Sequence, residues 1–595
     1  MAHPNAPSTD DPAPTPRGGP GERARWGQWL TLFAGLALVI HPLAPGPLGA
    51  DDLSGQEPVP FAGRRPAPSM AGRSTVYAPR GAAATSQPLA SGAALRVLQE
   101  GGNAIDAAVT AAAVLNVTEP HMTGIGGDMF AILWSAEEGR LVGLDASGRS
   151  GSKMTAEALL ARGHDEMPYR GPEAVTVPGA LSGWAALLER YGTISLAEAL
   201  APAIRIAEEG FPVTPVIARQ WRNTAGVLRE APGAAAETYL FDGRRGPEAG
   251  EWFRNPDLAS SFRTIAAEGP GALYGGELGR RVVDGLEAMG GWLTLEDLER
   301  HEPRWVEPIS VDFRGYTVWE LPPAGQGVAA LQMLELLEPF DLEAMGHNSA
   351  LYLHHLIEAK KLAFADLARY VADPDHMDVT VDRLLDPAYL DGRRALIDPV
   401  HAMDRPEPGD AATESETIYL SVADSEGNMV SFINSIYEYF GSGVVIPGTG
   451  FALQNRGTAF TLEEGHPNRV APNKRPFHTI IPGFVTRDGE PWMSFGLMGG
   501  SMQPQGHTQM LLDMLVFGMD VQEAIDAPRF RHYSGRRVAL EPAIGLEVRR
   551  ALEAMGHQIR DETGVAFGGA QAVVRLERGW AAGSDPRKDG MAVGH

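Results

Sequence analysis

The chain has 595 residues and a formal net charge of −25 at pH 7, and it contains no cysteine. A surface this acidic disfavours binding to nucleic acid or to anionic membranes. The absence of thiols excludes disulfides, cysteine-ligated zinc and thiol catalysis.

Residues 1–70 differ in composition from the rest of the chain. Proline, alanine and glycine dominate the first part, which predicts disorder. Two arginines then precede the apolar residues 26–40, a stretch too short to favour a membrane-spanning helix, and Ala50 follows at a position typical of signal-peptide cleavage. Two interpretations stay open. Either residues 23–50 export the protein, for example to the periplasm, or the true start is near Met70 and the protein is cytoplasmic.

The next segment predicts two helices and a strand pair. A helical pattern over residues 89–100 ends at two glycines, and an asparagine then caps an alanine-rich helix over 104–115 with too little polar surface to be exposed. The glycine cluster at 124–127 precedes predicted strands at 130–134 and 141–144. This cluster follows a helix and precedes a strand, the reverse of the order that dinucleotide-binding loops need.

Residues 175–400 are predicted to be mostly helical, with helices over 179–191, 196–209 and 349–370. His354 and Glu358 lie one turn apart in the last of these helices. Neither a third ligand nor a His-Glu-x-x-His pattern accompanies them, so the sequence predicts no metal site. Nucleotide-binding loops are also lacking, so no cofactor is expected.

Thr417 opens the clearest strand pair in the sequence. The alternating, β-branched residues 417–423 are followed by a short turn and a second strand at 429–436. The polar stretch 406–416 before it is typical of an exposed, cleavable linker. If the chain is cut after Glu416, the freed α-amine of Thr417 becomes a base beside its own hydroxyl nucleophile. A threonine that simply begins a strand is the plainer alternative.

After Thr417 the chain is rich in strands, with helices predicted over 509–517 and 545–555. Helices of the first part that pack on antiparallel strands of the second predict a layered α/β sandwich.

Six stretches resemble the γ-glutamyltransferase (glutathione hydrolase) family and occur in that family's order: GGNAIDAAVTAAAVLNVTEPHMTGIGGDMF, ETIYLSVADSEGNMVSF, FGSGVVIPGTGFALQNRGTAF, PNKRPFHTIIP, GLMGGS and GSDPRKDGMAVGH. The resemblance implies the αββα sandwich of the N-terminal nucleophile hydrolases. It also implies a self-cleaving precursor with residues 1–70 as an N-terminal segment, 71–416 as a mostly helical large subunit and 417–595 as the small catalytic subunit. The expected assembly is a heterodimer from one precursor, with a dimer of heterodimers as an alternative.

The resemblance also assigns catalytic groups. Thr417 would supply nucleophile and base, and Ser435 on the facing strand would hydrogen-bond to it. The amides of Gly499 and Gly500 would form the oxyanion hole, a role that suits glycine because no Cβ blocks the approaching carbonyl oxygen. The plainer alternatives are a cross-strand polar residue for Ser435 and an ordinary turn for the two glycines.

The substrate-binding positions depart from the family pattern. Glutathione-active members usually carry Asn-Asn-Gln-Met-Asp-Asp-Phe where this chain reads Gln-Asn-Arg-Gly-Thr-Ala-Phe at 454–460. Arg456 thus replaces a neutral amide, and Ala459 replaces the carboxylate that would pair with a substrate ammonium. Coulomb repulsion from Arg456 would disfavour that ammonium. The other expected pocket residues are Asn455, His478 and Thr479 in place of paired serines, Tyr437 in place of an asparagine, and Arg149, which is near but out of register with the family's carboxylate-binding arginine.

Three functions remain open. The first is hydrolysis or transfer of a γ-glutamyl group from glutathione or another γ-glutamyl amide. The second is hydrolysis of a glutaryl-type amide, as in the branch resembling cephalosporin acylases. Arg456 and Ala459 favour this function. The segment between Phe460 and Pro472 favours it too, because it is short and lacks a lid-bearing loop. The third is a scaffold without turnover. For either enzyme the partner is a small-molecule amide and not nucleic acid.

Overall fold

Two seven-stranded antiparallel sheets lie at the centre of the structure, a computed structural model that describes residues 72–406, 416–562 and 564–595. The signal-like segment 23–50, Met70 and most of the predicted linker lie outside the described residues. Within the described residues, no helix is both long enough and apolar enough to cross a membrane.

The strands of the described residues are β1 (Val76–Ala78), β2 (Ala82–Thr85), β3 (Asp128–Ser135), β4 (Arg140–Ala146), β5 (Phe211–Pro212), β6 (Trp252–Phe253), β7 (Arg304–Val306), β8 (Ile309–Phe313), β9 (Tyr316–Glu320), β10 (Glu416–Ala423), β11 (Met429–Tyr437), β12 (Gly483–Arg487), β13 (Glu490–Met498), β14 (Phe530–His532), β15 (Arg537–Leu540), β16 (Gln558–Arg560), β17 (Gly569–Arg575), β18 (Trp580–Ser584) and β19 (Met591–Gly594).

The α-helices of the described residues are α1 (Pro88–Gln99), α2 (Ala104–Thr118), α3 (Ala156–Ala161), α4 (Ala180–Tyr191), α5 (Leu196–Glu209), α6 (Pro215–Glu230), α7 (Ala235–Tyr239), α8 (Pro256–Glu268), α9 (Glu277–Ala288), α10 (Leu295–Glu299), α11 (Gly327–Leu337), α12 (Leu342–Met345), α13 (Ala350–Tyr370), α14 (Val381–Leu384), α15 (Pro387–Arg394), α16 (Met502–Leu515), α17 (Val521–Asp526) and α18 (Leu546–Ala554).

The sheets and helices stack in four layers. The first sheet has the strand order β1-β18-β17-β13-β12-β9-β8, and the second has the order β19-β2-β10-β11-β3-β4-β7. Strand β10 of the second sheet contacts β13 and β17 of the first, while α2 packs on β10 and β11, and α11 and α16 pack on the first sheet. The order helix, sheet, sheet, helix confirms the predicted αββα sandwich.

Each sheet contains strands from both sides of residue 417, which differs from the expectation that one part supplies helices and the other strands. Residues 72–406 contribute β1, β8 and β9 to the first sheet and β2, β3, β4 and β7 to the second. Several of these strands have only three to five residues, too few to show a clear period of two in the sequence.

Buried apolar side chains from both sheets fill the layer between them: Phe130, Ile132, Tyr419, Ile433, Ile480, Phe484 and Val573. On the outer face of the second sheet, every residue of α2 is buried, as its composition predicts. The buried carboxylate of Asp106 completes the capping box with Asn103 and also accepts from the backbone N–H (2.8 Å) and hydroxyl (2.5 Å) of Thr193. A charge can be tolerated there because these donors replace its hydration.

The helix predicted over 509–517 begins earlier, at Met502. Pro504 lies in its first turn, where the missing N–H costs nothing, and Gly506 gives close contact with Leu497 of β13. Both residues usually signal a helix break, which explains why the sequence pattern placed the start too late.

His121 is fully buried next to the second sheet. Its ring lies 5.6 Å from the ring of Tyr439 and 6.3 Å from that of Trp221, and Nε2 is 3.2 Å from Oε1 of Gln220. Burial lowers the pKa of His121 from 6.5 to about 3, because an imidazolium ion in this site would lose its hydration.

The unfolded chain therefore takes up a proton at His121 below about pH 6.5 while the folded chain does not, so stability should fall as the pH drops. For this group the expected slope is about 1.4 kcal/mol per pH unit between the two pKa values. His121→Phe should flatten the slope between about pH 6.5 and 4.5 in urea unfolding, whereas His376→Phe, at an exposed site, should not. Equal slopes for wild type and His121→Phe would contradict the prediction.

Candidate active site

Thr417 lies near the start of β10, which is hydrogen-bonded on both sides, to β2 and to β11. Its side chain is fully buried, and its Oγ1 donates to Oγ of Ser435 over 3.3 Å. The pairing register shifts between Glu416 and Ile418, so Thr417 stands opposite an extra residue of β11. Such a bulge re-aims a side chain and ends regular pairing. The prediction that Ser435 faces Thr417 across the strands agrees with this geometry.

A row of polar side chains continues across the sheet from Thr417. Ser435 pairs with Asp128 at the first position of β3, and Oγ of Ser435 accepts from the N–H of Tyr437 over 2.9 Å. Thr417, Ser435 and Asp128 thus occupy neighbouring positions on three adjacent strands.

The glycine pair predicted to form the oxyanion hole connects β13 to α16. Gly499 and Gly500 have φ values of 120° and 58°, conformations that strongly favour glycine. Their carbonyls accept from the N–H groups of Met502 and Gln503, both at 3.0 Å. Among the described residues no acceptor takes the N–H of either glycine. Two unpaired amides at the N-terminus of a long helix can bind a developing oxyanion.

The stacking of the two sheets aligns β10 with β13, so that their contacts lead toward Thr417 and the glycine pair. Oγ of Ser421 donates to the carbonyl of Ser494 over 3.0 Å, and a Cβ on Gly496 would stand 2.3 Å from the ring of Tyr419. From the first contact to the second, the position moves back by two residues on β10 and forward by two on β13. A further step of the same size puts Thr417 opposite the end of β13, immediately before Gly499.

Arg456 lies close to these groups, at the place where the sequence predicts the acyl pocket. It is fully buried at the start of a short 3₁₀ turn. Its Nη1 donates to Oγ1 of Thr479 over 3.1 Å, and its Cζ lies 4.3 Å from the ring centre of Tyr437. Burial lowers the pKa of Arg456, and the nearby Asp128 carboxylate partly offsets this effect. The structure thus brings together three of the predicted pocket residues.

Asp128 holds the pocket in place, although no local sequence signal pointed to it. Its Oδ1 accepts from the N–H of Gly148 (2.8 Å) and from Nε2 of Gln454 (3.1 Å), and its Oδ2 accepts from Nε2 of His478 (2.9 Å). Oδ2 is also 4.0 Å from Nε of Arg456. The predicted residue His478 therefore orients the carboxylate beside Arg456, and its other ring nitrogen, Nδ1, lies 2.7 Å from the carbonyl oxygen of Pro476.

Gln326, the residue before α11, is a second functional candidate that sequence reasoning missed. Its Nε2 donates to the carbonyl of Thr479 over 2.5 Å and to the carbonyl of Gly500 over 2.8 Å. One amide group therefore joins the pocket wall to the glycine turn. No motif surrounds Gln326, and its partners lie more than 150 residues away.

Two predicted pocket residues make other contacts. Both ends of the Asn455 amide bind backbone: Oδ1 accepts from the N–H of Glu438 (3.1 Å) and Nδ2 donates to the carbonyl of Tyr169 (2.8 Å). Arg149 is 37% exposed and donates to the carbonyl of Asn473 over 2.8 Å. It lines a separate cavity of about 220 Å³ with three further arginines, Arg300, Arg304 and Arg475. A substrate-binding role for either residue stays a prediction.

His354 and Glu358 do have a third potential ligand, which corrects the expectation from the sequence. His557 lies beside them, with Nε2 2.8 Å from Nδ1 of His354, because the loop before β16 folds onto α13. The Glu358 carboxylate is already paired, since Lys361 Nζ donates to Oε1 over 2.7 Å and the N–H of Met403 donates to Oε2 over 2.9 Å. As described, the cluster ties the segment around Met403 to α13.

Comparisons with known proteins show the family of this chain. The family model described as gamma-glutamyltranspeptidase matches residues 90–595. The glutathione hydrolase-like YwrD proenzyme of Bacillus subtilis is 38% identical over 518 residues, covering 85% of this chain and 97% of its own. The oxamate amidohydrolase proenzyme of Klebsiella pneumoniae is 37% identical over 529 residues, covering 87% and 98%. Among solved structures, cephalosporin acylase from Bacillus halodurans has 44% identity and a TM-score of 0.84, covering 89% of this chain and 99% of its own.

Proposed function

Because the chain belongs to the gamma-glutamyltranspeptidase family, we propose that it cuts itself between Glu416 and Thr417 and then hydrolyses small acyl amides through an ester on Thr417. The observation that carries this proposal is the position of Thr417. Thr417 lies near the start of the central strand β10, and its buried hydroxyl donates a hydrogen bond to Ser435. The turn that contains the two unpaired amides follows the neighbouring strand β13.

Self-cleavage begins when the Thr417 hydroxyl attacks the carbonyl of Glu416, which moves the acyl group from nitrogen to oxygen. Water then hydrolyses this ester, leaving a carboxylate on Glu416 and a free α-amine on Thr417. The hydrogen bond to Ser435 and the bulge in β11 aim the hydroxyl for this attack.

In the processed enzyme the α-amine of Thr417 takes the proton from the attacking hydroxyl. The N–H groups of Gly499 and Gly500 stabilise the oxyanion of the tetrahedral intermediate, and the leaving amine receives the proton held by the α-ammonium. Water, activated by the same amine, then releases the acid. A second amine in place of water would give transfer, and we take water as the usual acceptor.

The two products of the cut stay together as a two-subunit enzyme. Both sheets contain strands from either side of the cleavage point, and β10 pairs with β2 on one side and β11 on the other. Separating the fragments would expose the apolar layer between the sheets. The pairing of two such heterodimers remains a prediction from the sequence.

The named relatives include a glutathione hydrolase-like protein, an oxamate amidohydrolase and a cephalosporin acylase. Family membership therefore leaves the acyl group open. A γ-glutamyl amide and a glutaryl-type amide are the two candidate substrates, and the pocket around Arg456 and Ala459 favours the second.

Self-cleavage can be tested directly. Purified wild type should give two fragments, the smaller beginning Thr417-Ile418-Tyr419, by denaturing electrophoresis and N-terminal sequencing. Thr417→Ala should remain one chain because it has no hydroxyl to attack. Thr508→Ala, which removes a buried hydroxyl on α16, should cleave like wild type. An uncut wild type that still turned over an amide would refute the mechanism.

Gln326 is predicted to position the oxyanion turn. Gln326→Met should lower kcat by about tenfold to a hundredfold with little change in KM. The carbonyl of Gly500 loses the hydrogen bond from Gln326, so the N–H groups of the turn are no longer held in the orientation that stabilises the oxyanion. Gln332→Met is a matched control. Gln332 lies in α11, and its Nε2 also makes two buried hydrogen bonds, to Asp366 and to the carbonyl of Leu384. Both variants should lose similar stability. Equal losses of kcat in Gln326→Met and Gln332→Met would show that the Gln326 substitution acts only through stability.

A further inference from the structure

Arg456 is an incompletely paired cation inside the protein. Nη1 has its bond to Thr479, but neither Nε nor Nη2 has a hydrogen-bond partner among the described residues. The nearest carboxylate oxygen, Oδ2 of Asp128, is 4.0 Å from Nε, too far for a hydrogen bond. Buried guanidinium groups normally have their donors satisfied, so the two free donors of Arg456 call for an acceptor from water or from a ligand.

Asp128 cannot move to satisfy Arg456. Its two oxygens already accept three hydrogen bonds, from Gly148, Gln454 and His478. Shifting the carboxylate toward Arg456 would break at least one of these bonds. The free edge of the guanidinium is therefore a fixed feature of the pocket.

Two short routes connect Arg456 to the reacting groups. On the first, its guanidinium lies over Tyr437, whose N–H donates to the Ser435 hydroxyl that Thr417 contacts. On the second, Arg456 contacts Thr479, and the Gln326 side chain donates hydrogen bonds to the carbonyls of both Thr479 and Gly500. An acyl group bound to Thr417 would therefore lie within reach of Arg456.

An ammonium has no equivalent receptor in this turn. Ala459 offers no side-chain charge, and the nearby Glu438 carboxylate has other partners. Glu438 hydrogen-bonds to Tyr169, whose pKa is raised by burial and by that carboxylate, and Arg170 lies close enough to Glu438 to offset its charge. Tyr169 and Arg170 are thus existing partners of Glu438.

From this arrangement we infer that the acyl pocket is a carboxylate receptor built on Arg456, and that the enzyme's substrates are monoamides of short dicarboxylic acids without an α-ammonium group. This inference rests on the proposed function for the chemistry at Thr417. A carboxylate matches the planar fork of the guanidinium and would satisfy Nη2 and Nε together.

The test compares three anilides with the processed enzyme. The first is the glutaryl anilide, the second its carbamoyl counterpart, in which a neutral amide replaces the carboxylate, and the third the γ-glutamyl anilide. Oxalyl and succinyl anilides then define the preferred chain length. Wild type should favour the glutaryl over the carbamoyl substrate by about a hundredfold or more in kcat/KM, because the carbamoyl group leaves the receptor unpaired. It should favour the glutaryl over the γ-glutamyl substrate, because an ammonium beside Arg456 would be repelled and has no carboxylate to pair with in this turn.

Arg456→Gln should lose about a hundredfold on the glutaryl anilide and less than about threefold on the carbamoyl one, and Arg456→Lys should fall between because it keeps charge without the fork. Turnover of the carbamoyl anilide also shows that the variant is folded and cleaved. Arg531→Gln, at a buried arginine on β14, is the matched control and should resemble wild type.

Binding separates this inference from the proposed chemistry. Glutarate, at millimolar concentration, should raise the melting temperature of wild type but not of Arg456→Gln, whereas glutaramide should raise neither. If no amide is hydrolysed yet glutarate binds through Arg456, the chemistry fails and the receptor stands. Three results would each overturn the receptor: equal losses of Arg456→Gln on the charged and neutral anilides, loss of the carboxylate preference in Arg149→Gln but not in Arg456→Gln, or a wild-type preference for the γ-glutamyl over the glutaryl anilide.

Discussion

The pairing of β10 between β2 and β11 is the constraint on which this structure depends. Strand β10 is paired with β11 along its length and with β2 at Ser421–Ala423, so that cutting the chain before Thr417 frees an amine without freeing the strand. Because residues on both sides of the cut supply strands to both sheets, neither fragment contains a complete hydrophobic layer. The fold can therefore produce a new N-terminus at a buried site and still keep it in place, which is what an N-terminal nucleophile needs.

A second constraint is electrostatic and centres on Asp128. One buried carboxylate lies among the donors of Gly148, Gln454 and His478, and Arg456 stands just beyond hydrogen-bond distance. Buried charges are tolerated when they are both paired and hydrogen-bonded. Asp128 meets this condition and Arg456 meets it only in part. The pocket is thus left with hydrogen-bonding capacity that a ligand can complete, while the carboxylate that orients it stays fully occupied.

The sequence predicted those parts of the site that depend on local pattern. Thr417 begins a β-branched run after a polar stretch, and the glycine pair follows a strand, so both could be found from neighbours in the chain together with the family resemblance. The αββα layering was predictable from the family resemblance, whereas the sequence pattern alone predicted an α/β sandwich and wrongly assigned helices to one part and strands to the other. What the sequence could not show were contacts between distant segments. Asp128 meets His478 across 350 residues, Gln326 meets Gly500 across 174, and His557 meets His354 across 203.

The groups proposed for the chemistry and the groups proposed to bind the acyl group lie on different elements, so substrate specificity can change while the chemistry does not. The proposed nucleophile and the proposed oxyanion turn belong to β10 and to the end of β13, which stack against each other in the two sheets. The proposed acyl receptor instead belongs to a four-residue 3₁₀ turn and to the loop that carries His478 and Thr479. A substitution in that turn alters the charge facing the acyl group without moving Thr417. Under the proposed carboxylate receptor, Arg456 and Ala459 are the positions at which a shared fold acquires a preference for a carboxylate over an ammonium.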